Sequence, residues 1–220
     1  MATDHAGEEL TTVHLLRHGE VHNPEGVLYG RLPNYHLSDR GRLMAARIAE
    51  HLAENPITVV VASPLDRARE TAEPIAAEHA VTVDIDDRLI EAANVFEGLT
   101  FGVGDGALTR PTHWKHLRNP FRPSWGERYT DQVRRMLGAM ADARDRARGA
   151  EALLVSHQLP IWVVRSAVEN RRLWHDPRKR ECSVASLTSF TYAGTAIVAV
   201  SYAEPARDLL PDGKRTLPGA

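Results

Sequence analysis

Cysteine is almost absent from this chain: Cys182 is the single one among 220 residues, so no internal disulfide can form. That composition suits a reducing compartment, and a cytoplasmic location is the expectation. Its neighbours Arg180 and Glu181 make no clear thiolate-stabilising site, so Cys182 reads as a structural thiol. Long apolar runs are also missing; nothing approaches the ~20 residues of a membrane span, and no membrane partner is expected. Residues 1–12 are polar and lack the apolar core of a signal peptide, so they read as a loose tail. Neither sign of charge dominates. A net charge of -2 argues against general nucleic-acid binding, which draws on a basic balance. What is present is ordinary for a globular domain, with 43% apolar and 25% charged residues.

The apolar runs set the architecture. Val13 to Leu16 and Thr58 to Ala62 are continuous and read as buried strands, as does Ala152 to Val155. Val81, Val83 and Ile85 alternate with polar residues and predict a more exposed strand. Between these runs the period changes. Met44, Ile48 and Leu52 share one helical face after a capping Ser38, and Asn55-Pro56 ends that helix. Ser63-Pro64 is read as opening a second helix, with Ala68, Ala72 and Ile75 inward. Tyr129 to Arg148 forms a charged amphipathic helix, and Pro160 to Val168 another. Val184 to Tyr192 and Thr195 to Tyr202 close the chain as an antiparallel pair. The expected fold is a three-layer α/β/α sandwich with a mostly parallel central sheet. It spans residues 13–204, with a flap-like insertion at roughly 97–126 and a second loose tail over 205–220.

Three polar motifs directly follow three of the apolar runs. They are Arg17-His18-Gly19, Ser63 to Ala68 with Arg67, and Ser156-His157. Ligand sites in open α/β sheets gather at the carboxyl ends of strands, so these motifs can meet in space. Two arginines and two histidines meeting there would form a pocket for a dianion, whose oxygens suit the planar guanidinium fork. His14, His18 and His22 are spaced like helical metal ligands, but Gly19 and Pro24 interrupt any helix there, and no metal is expected.

Together with Leu37-Ser38-Asp39-Arg40-Gly41, these motifs resemble the histidine phosphatase superfamily, also called the phosphoglycerate mutase-like family. The resemblance runs in order from Val13 to Tyr202, which is more specific than any one tripeptide. It implies that His18 is a phosphorylated nucleophile, that Arg17, Arg67 and His157 hold the phosphate, and that Glu91 is the proton donor. Glu127, which follows Gly126, is an alternative acid. By the same resemblance Asn23 is a further phosphate contact, although Val21 and the spacing of His22-Asn23-Pro24 depart from the family pattern. Arg31 and Trp114 are candidates for substrate contact. No cofactor is implied.

The expected activity is a phosphomonoesterase that works through phosphohistidine on a small phosphorylated metabolite. A neutral imidazole can attack phosphorus, and the remaining task is charge stabilisation, which the arginines supply. Two other readings stand beside it, a phosphoglycerate mutase and a non-catalytic phospholigand binder. The run Glu91 to Gly98 resembles the phosphatase branch. The basic stretch Arg178-Lys179-Arg180 reads as surface, and the aromatics Trp114 and Trp174 leave a homodimer open.

Overall fold

The computed structural model describes residues 9–100 and 126–210. Trp114 and most of the expected insertion lie outside the described residues. In chain order the elements are β1 (Leu10–Arg17), α1 (Asp39–Leu52), β2 (Ile57–Ala62), α2 (Asp66–Glu78) and β3 (Val83–Ile85). They continue with α3 (Tyr129–Arg146), β4 (Glu151–Ser156), α4 (Gln158–Val168) and the hairpin β5 (Leu187–Ala193) and β6 (Ala196–Ala203). The strands form one sheet in the order β3-β2-β4-β1-β5-β6. The first four run parallel, while β5 is antiparallel to β1, and β6 to β5. This is the expected mixed α/β sandwich with helices on both faces.

Side-chain alternation along the strands divides the core into two layers. Leu153 and Val155 of β4 point with Leu16 toward Met44, Ile48, Leu52, Ala72 and Ile75 on α1 and α2. Ala152 and Leu154 point with Val13 and Leu15 toward Met136, Met140, Ile161 and Val164 on α3 and α4. Because both faces are covered, the centres of β1 and β4 are apolar on both sides, with His14 the polar exception. Burial of each large aliphatic contributes about 1.5–3 kcal/mol, so the helical stripes hold the layers on the sheet. At the start of α1, the Ser38 hydroxyl accepts from Gly41 N at 3.0 Å, the cap read in the sequence.

The structure departs from the sequence reading at several edges. β1 begins at Leu10, inside the expected tail, because β5 reaches back far enough to pair Leu10 with Ala193. The segment after Pro205 is partly held: Ala206 is buried, Leu209 and Leu210 pack on the first core layer, and Asp208 meets Arg47. Helix α2 starts at Asp66, with an extended Leu65 before it, rather than at Pro64. Helix α4 starts at Gln158, two residues before Pro160, which is acceptable since first-turn amides have no helical acceptor. Both shifts matter, since they leave Ser63 and His157 at strand–helix junctions. Among the described residues, no helix is long and apolar enough to cross a membrane.

Candidate active site

The parallel ladder continues one residue past the strands and thereby sets the site's backbone. Ser63 N donates to Val155 O at 2.9 Å, and His18 N donates to Ser156 O at 3.1 Å. The carboxyl end of β4 thus holds the ends of β1 and β2 on either side of it. Arg17, His18, Arg67 and His157 converge there, none more than 2% exposed. The rings of His18 and His157 lie 5.1 Å apart between centroids. Helices α2 and α4 both begin at this edge, so their amino-terminal dipoles favour negative charge.

Hydrogen bonds fix which nitrogen of each ring is free. His18 Nδ1 lies 2.8 Å from Gly19 O, an atom that can only accept, so Nδ1 carries the hydrogen and Nε2 the lone pair. His157 Nδ1 faces Arg67 Nη2 at 3.4 Å and therefore accepts, leaving Nε2 to donate to Ser63 Oγ at 2.8 Å. Burial, with the positive charges of Arg67 and Arg17, holds the His18 imidazolium well below its ordinary range. Burial and Arg67 do the same to His157. Both rings are neutral at neutral pH, and His18 Nε2 carries a lone pair.

Arg17 Nη1 donates to Cys182 O at 2.7 Å, and Arg67 Nη2 to Gly30 O at 2.6 Å. No carboxylate among the described residues lies within ion-pair distance of Arg67. Its buried Nε has no hydrogen-bond partner among them either. A buried cation left without a counter-ion is costly, and an arriving dianion offsets that cost. Two further residues shape this corner that the sequence did not single out. Tyr29 is buried, with the Arg67 guanidinium 4.7 Å above its ring and Tyr35 stacked on it. Thr71 Oγ1 accepts from Gly19 N at 3.0 Å and donates to Arg67 O at 2.6 Å, joining the histidine loop to α2. Its position four residues after Arg67, on the same helical face, was the available signal.

The loop at Gly19 depends on close backbone approach. A Cβ on Gly19 would meet Gly41 O at 2.6 Å, and one on Gly41 would meet Glu20 O at 2.0 Å. The same junction is tied by Ser38 Oγ donating to Glu20 Oε2 at 2.6 Å and Ser38 N donating to Glu20 O at 2.9 Å. That contact explains why the two glycine-bearing motifs, far apart in sequence, occur together.

A second wall faces these residues. The Glu91 carboxyl accepts from Ala92 N at 2.8 Å, and burial raises its proton affinity despite the charges of Arg67, Arg180 and Arg17. Arg31 does not project as a free substrate contact. Its Nε donates to Glu91 O at 2.6 Å and its Nη2 to Glu127 Oε2 at 3.0 Å. Arg135 grips the same Glu127 carboxylate in a fork, at 2.8 and 3.1 Å, and also donates to Arg88 O. Glu127 is therefore committed as an acceptor to two guanidiniums. Glu91 is the carboxyl with only one backbone donor on it.

Asn23 is placed differently from the expectation. Its amide donates to Val27 O at 2.9 Å and accepts from Val27 N at 3.0 Å, closing its own loop. Both polar ends of the side chain thus hold the loop, which leaves one amide N–H of Asn23 beyond these two bonds. Arg180 departs in the other direction. It was read as surface, yet it is half-buried and within electrostatic reach of Glu91 and Arg17. Burial pushes the Cys182 thiol up, in keeping with an unreactive side chain. His14 lies apart from the site, between Ser189 Oγ and Glu151 Oε2. Among the described residues no group of three or more histidine, cysteine or carboxylate side chains is arranged to hold a metal.

Known proteins share both the sequence pattern and the fold. The chain is 55% identical over 198 residues to the uncharacterized protein Rv0525 of Mycobacterium tuberculosis, covering 90% of this chain and 98% of that protein. It is 29% identical over 181 residues to the probable phosphoglycerate mutase GpmB of Escherichia fergusonii, covering 79% of this chain and 82% of that one. In fold it resembles a mycobacterial glucosyl-3-phosphoglycerate phosphatase, Rv2419c, with a TM-score of 0.70 at 23% identity over 88% of this chain and 97% of that one. The family model for the histidine phosphatase superfamily (branch 1) matches residues 13–205, and the chain belongs to that superfamily.

Proposed function

We propose that the protein is a phosphomonoesterase that works through a phosphohistidine at His18. The observation that carries this reading is the neutral His18 ring, with the lone pair on Nε2, beside a buried Arg67 that has no carboxylate at ion-pair distance among the described residues. In the first step the Nε2–P bond forms as the P–O bond to the leaving group breaks. Glu91, whose proton affinity burial raises, gives a proton to the departing alkoxide. In the second step the Glu91 carboxylate takes a proton from water, the water oxygen bonds phosphorus, and the N–P bond breaks. Arg17, Arg67 and His157 hold the phosphoryl oxygens throughout. The transferring group is loose and anionic, so positioning and charge stabilisation do most of the work. With a dianion bound, its negative charge favours the His157 imidazolium, which adds a donor.

In this reading Arg31 positions Glu91 through the backbone carbonyl, and Arg135 and Glu127 hold Arg31. A small-molecule phosphate ester is the partner. The guanidiniums supply the charge stabilisation that a metal provides in other phosphatases, so no step calls for one.

Rapid-quench labelling with a radioactive phosphate ester tests the proposal. Wild type should yield acid-labile, base-stable phosphohistidine and release phosphate, and His18→Ala should do neither. Equal labelling after that substitution would remove His18 as the nucleophile. Interconversion of phosphoglycerates with little phosphate release would replace hydrolysis by a mutase reaction.

A further inference from the structure

A cavity of about 510 Å³ opens at the same sheet edge as the active site, on the side of the β5–β6 hairpin. Its wall carries Arg178, Arg180 and Arg207 with Gln158, Glu181 and Glu204. Most of these charges are already matched. Arg178 forks onto Asp176, Glu181 faces Arg165, and Glu204 accepts from Ser183 Oγ and Tyr202 OH. Arg207 is exposed to solvent.

Arg180 is the exception. Its Nε donates to His175 Nε2 at 2.8 Å and its Nη1 to Gln158 Oε1 at 3.2 Å, both neutral acceptors. No carboxylate among the described residues lies within ion-pair distance of it. A guanidinium has five N–H donors, so the fork is only partly used. Burial lowers the Arg180 pKa, which marks a cation held without full compensation.

This residue is also joined to the reaction centre. Gln158 follows His157 directly, and its Nε2 donates to Cys182 O at 3.4 Å. The same carbonyl accepts from Arg17 Nη1 at 2.7 Å. One hydrogen-bonded path thus runs from the phosphate-side Arg17 through Cys182 O and Gln158 to Arg180 at the cavity.

We propose that Arg180 and this cavity receive a second anionic group of the substrate, a carboxylate or a further phosphate, while the ester phosphate sits on His18. The proposal rests on the phosphomonoesterase reading and narrows its substrate class to phosphomonoesters that carry such a group. A guanidinium fork engaged by a carboxylate or phosphate gives a charge-assisted, directional contact.

The test measures binding by calorimetry in the His18→Ala protein, so that turnover does not enter. The probes are phosphate esters of ω-hydroxy alkanoic acids two to six carbons long, each paired with the alkyl phosphate of equal length. Alkanediol bisphosphates of the same lengths form a third series. At the best length the acid or the bisphosphate should bind roughly tenfold or more tighter than its alkyl partner. Adding Arg180→Gln should bring that ratio close to unity. A wild-type ratio of one at every length, or a ratio unchanged by Arg180→Gln, would overturn the proposal. If Arg180→Gln does not fold, Arg180→Lys reads the same difference, a reduced ratio supporting the assignment and an equal one overturning it.

A second equivalent of inorganic phosphate, lost with Arg180→Gln but without any preference among the esters, would assign the cavity to a free anion and overturn the substrate claim. Failure of the underlying reading looks different. It would show as no phosphohistidine and no phosphate release, with the binding preference intact.

Discussion

The two walls of the site are built by different means. On the phosphate wall, Arg17, His18 and His157 directly follow or end buried strands, and Arg67 sits in the first turn of a helix. The backbones of Arg17 and His18 are held by the sheet ladder itself, and all four side chains are essentially closed to solvent. On the acid wall, Glu91 follows a short 3-10 turn at Asp87–Leu89, and Arg31 lies in a loop. No ladder reaches them. Their placement depends on side-chain bonds among Arg31, Glu127 and Arg135. In the proposed mechanism this contrast is a division of labour, in which the first wall binds the dianion and the bonded loops set the acid.

The largest expected effect separates the walls by chemistry. Glu91→Gln should slow hydrolysis of alkyl phosphates by about 10²–10⁴-fold, the usual worth of a positioned acid. Aryl phosphates, whose leaving groups need little protonation, should lose far less. Equal losses on both would leave Glu91 without its role. The pH dependence follows from the directions of the shifts. In the proposed mechanism His18 attacks when neutral, and its pKa is lowered, so activity should fall only well to the acid side of its ordinary range. Glu91 would act when protonated, and its pKa is raised, so kcat/KM for alkyl phosphates should fall as pH rises through that raised value. This basic limb should be missing from aryl phosphates and from Glu91→Gln. A basic limb that persists in the variant would belong to another group.

A smaller effect probes how the acid is held. Arg31→Met removes the donor to Glu91 O and one of two cations on Glu127. If Arg31 positions the acid, kcat on alkyl phosphates should fall about tenfold, since modest misplacement of a catalytic group is enough to cost that much. KM should change little, and aryl phosphates should be less affected. Arg31→Lys should restore part of the loss. A rise in KM with kcat intact would instead return Arg31 to direct substrate contact.

Legibility in the sequence follows the same division. A residue that follows an apolar run emerges at the carboxyl edge of a buried strand, so the place of His18 and His157 at that edge is readable from the sequence, while their proposed roles rest on the companion motifs and the resemblance. The stripe Met44, Ile48 and Leu52 likewise fixed the face of α1 that is buried. Strand order was not readable, because nothing local says that β4 inserts between β1 and β2. Nor were side-chain directions in irregular segments, where tertiary hydrogen bonds decide the outcome. Arg180 sat in a basic run that looks like solvated surface, yet its guanidinium turns to His175 and Gln158. Arg31 lies in a loop where the sequence points to substrate contact, yet its guanidinium is held by Glu127 and Glu91 O. Tyr29 carried no periodic signal at all. Family resemblance supplied Glu91, which its own neighbourhood of Leu89, Ile90 and Ala92 does not distinguish.

The smallest expected effect tests whether the phosphate wall extends into its adjoining loop. Asn23 was the residue there expected to touch phosphate, but its amide spans Val27 N and O instead. Those two bonds close a loop whose next residues stitch to the start of the insertion, Leu28 N donating to Leu99 O at 2.9 Å and Gly98 N to Leu28 O at 2.9 Å. Asn23→Ala should therefore act on the loop rather than on the reaction. Each partly buried neutral bond is worth about 1 kcal/mol, so a modest drop in Tm is expected. The kcat/KM on an aryl phosphate should stay within about threefold, because the change lies outside the groups that meet charge in the transition state. A much larger fall, with Tm unchanged, would mean that Asn23 turns inward when phosphate binds. The phosphate wall would then include a member that neither a strand nor a helix places.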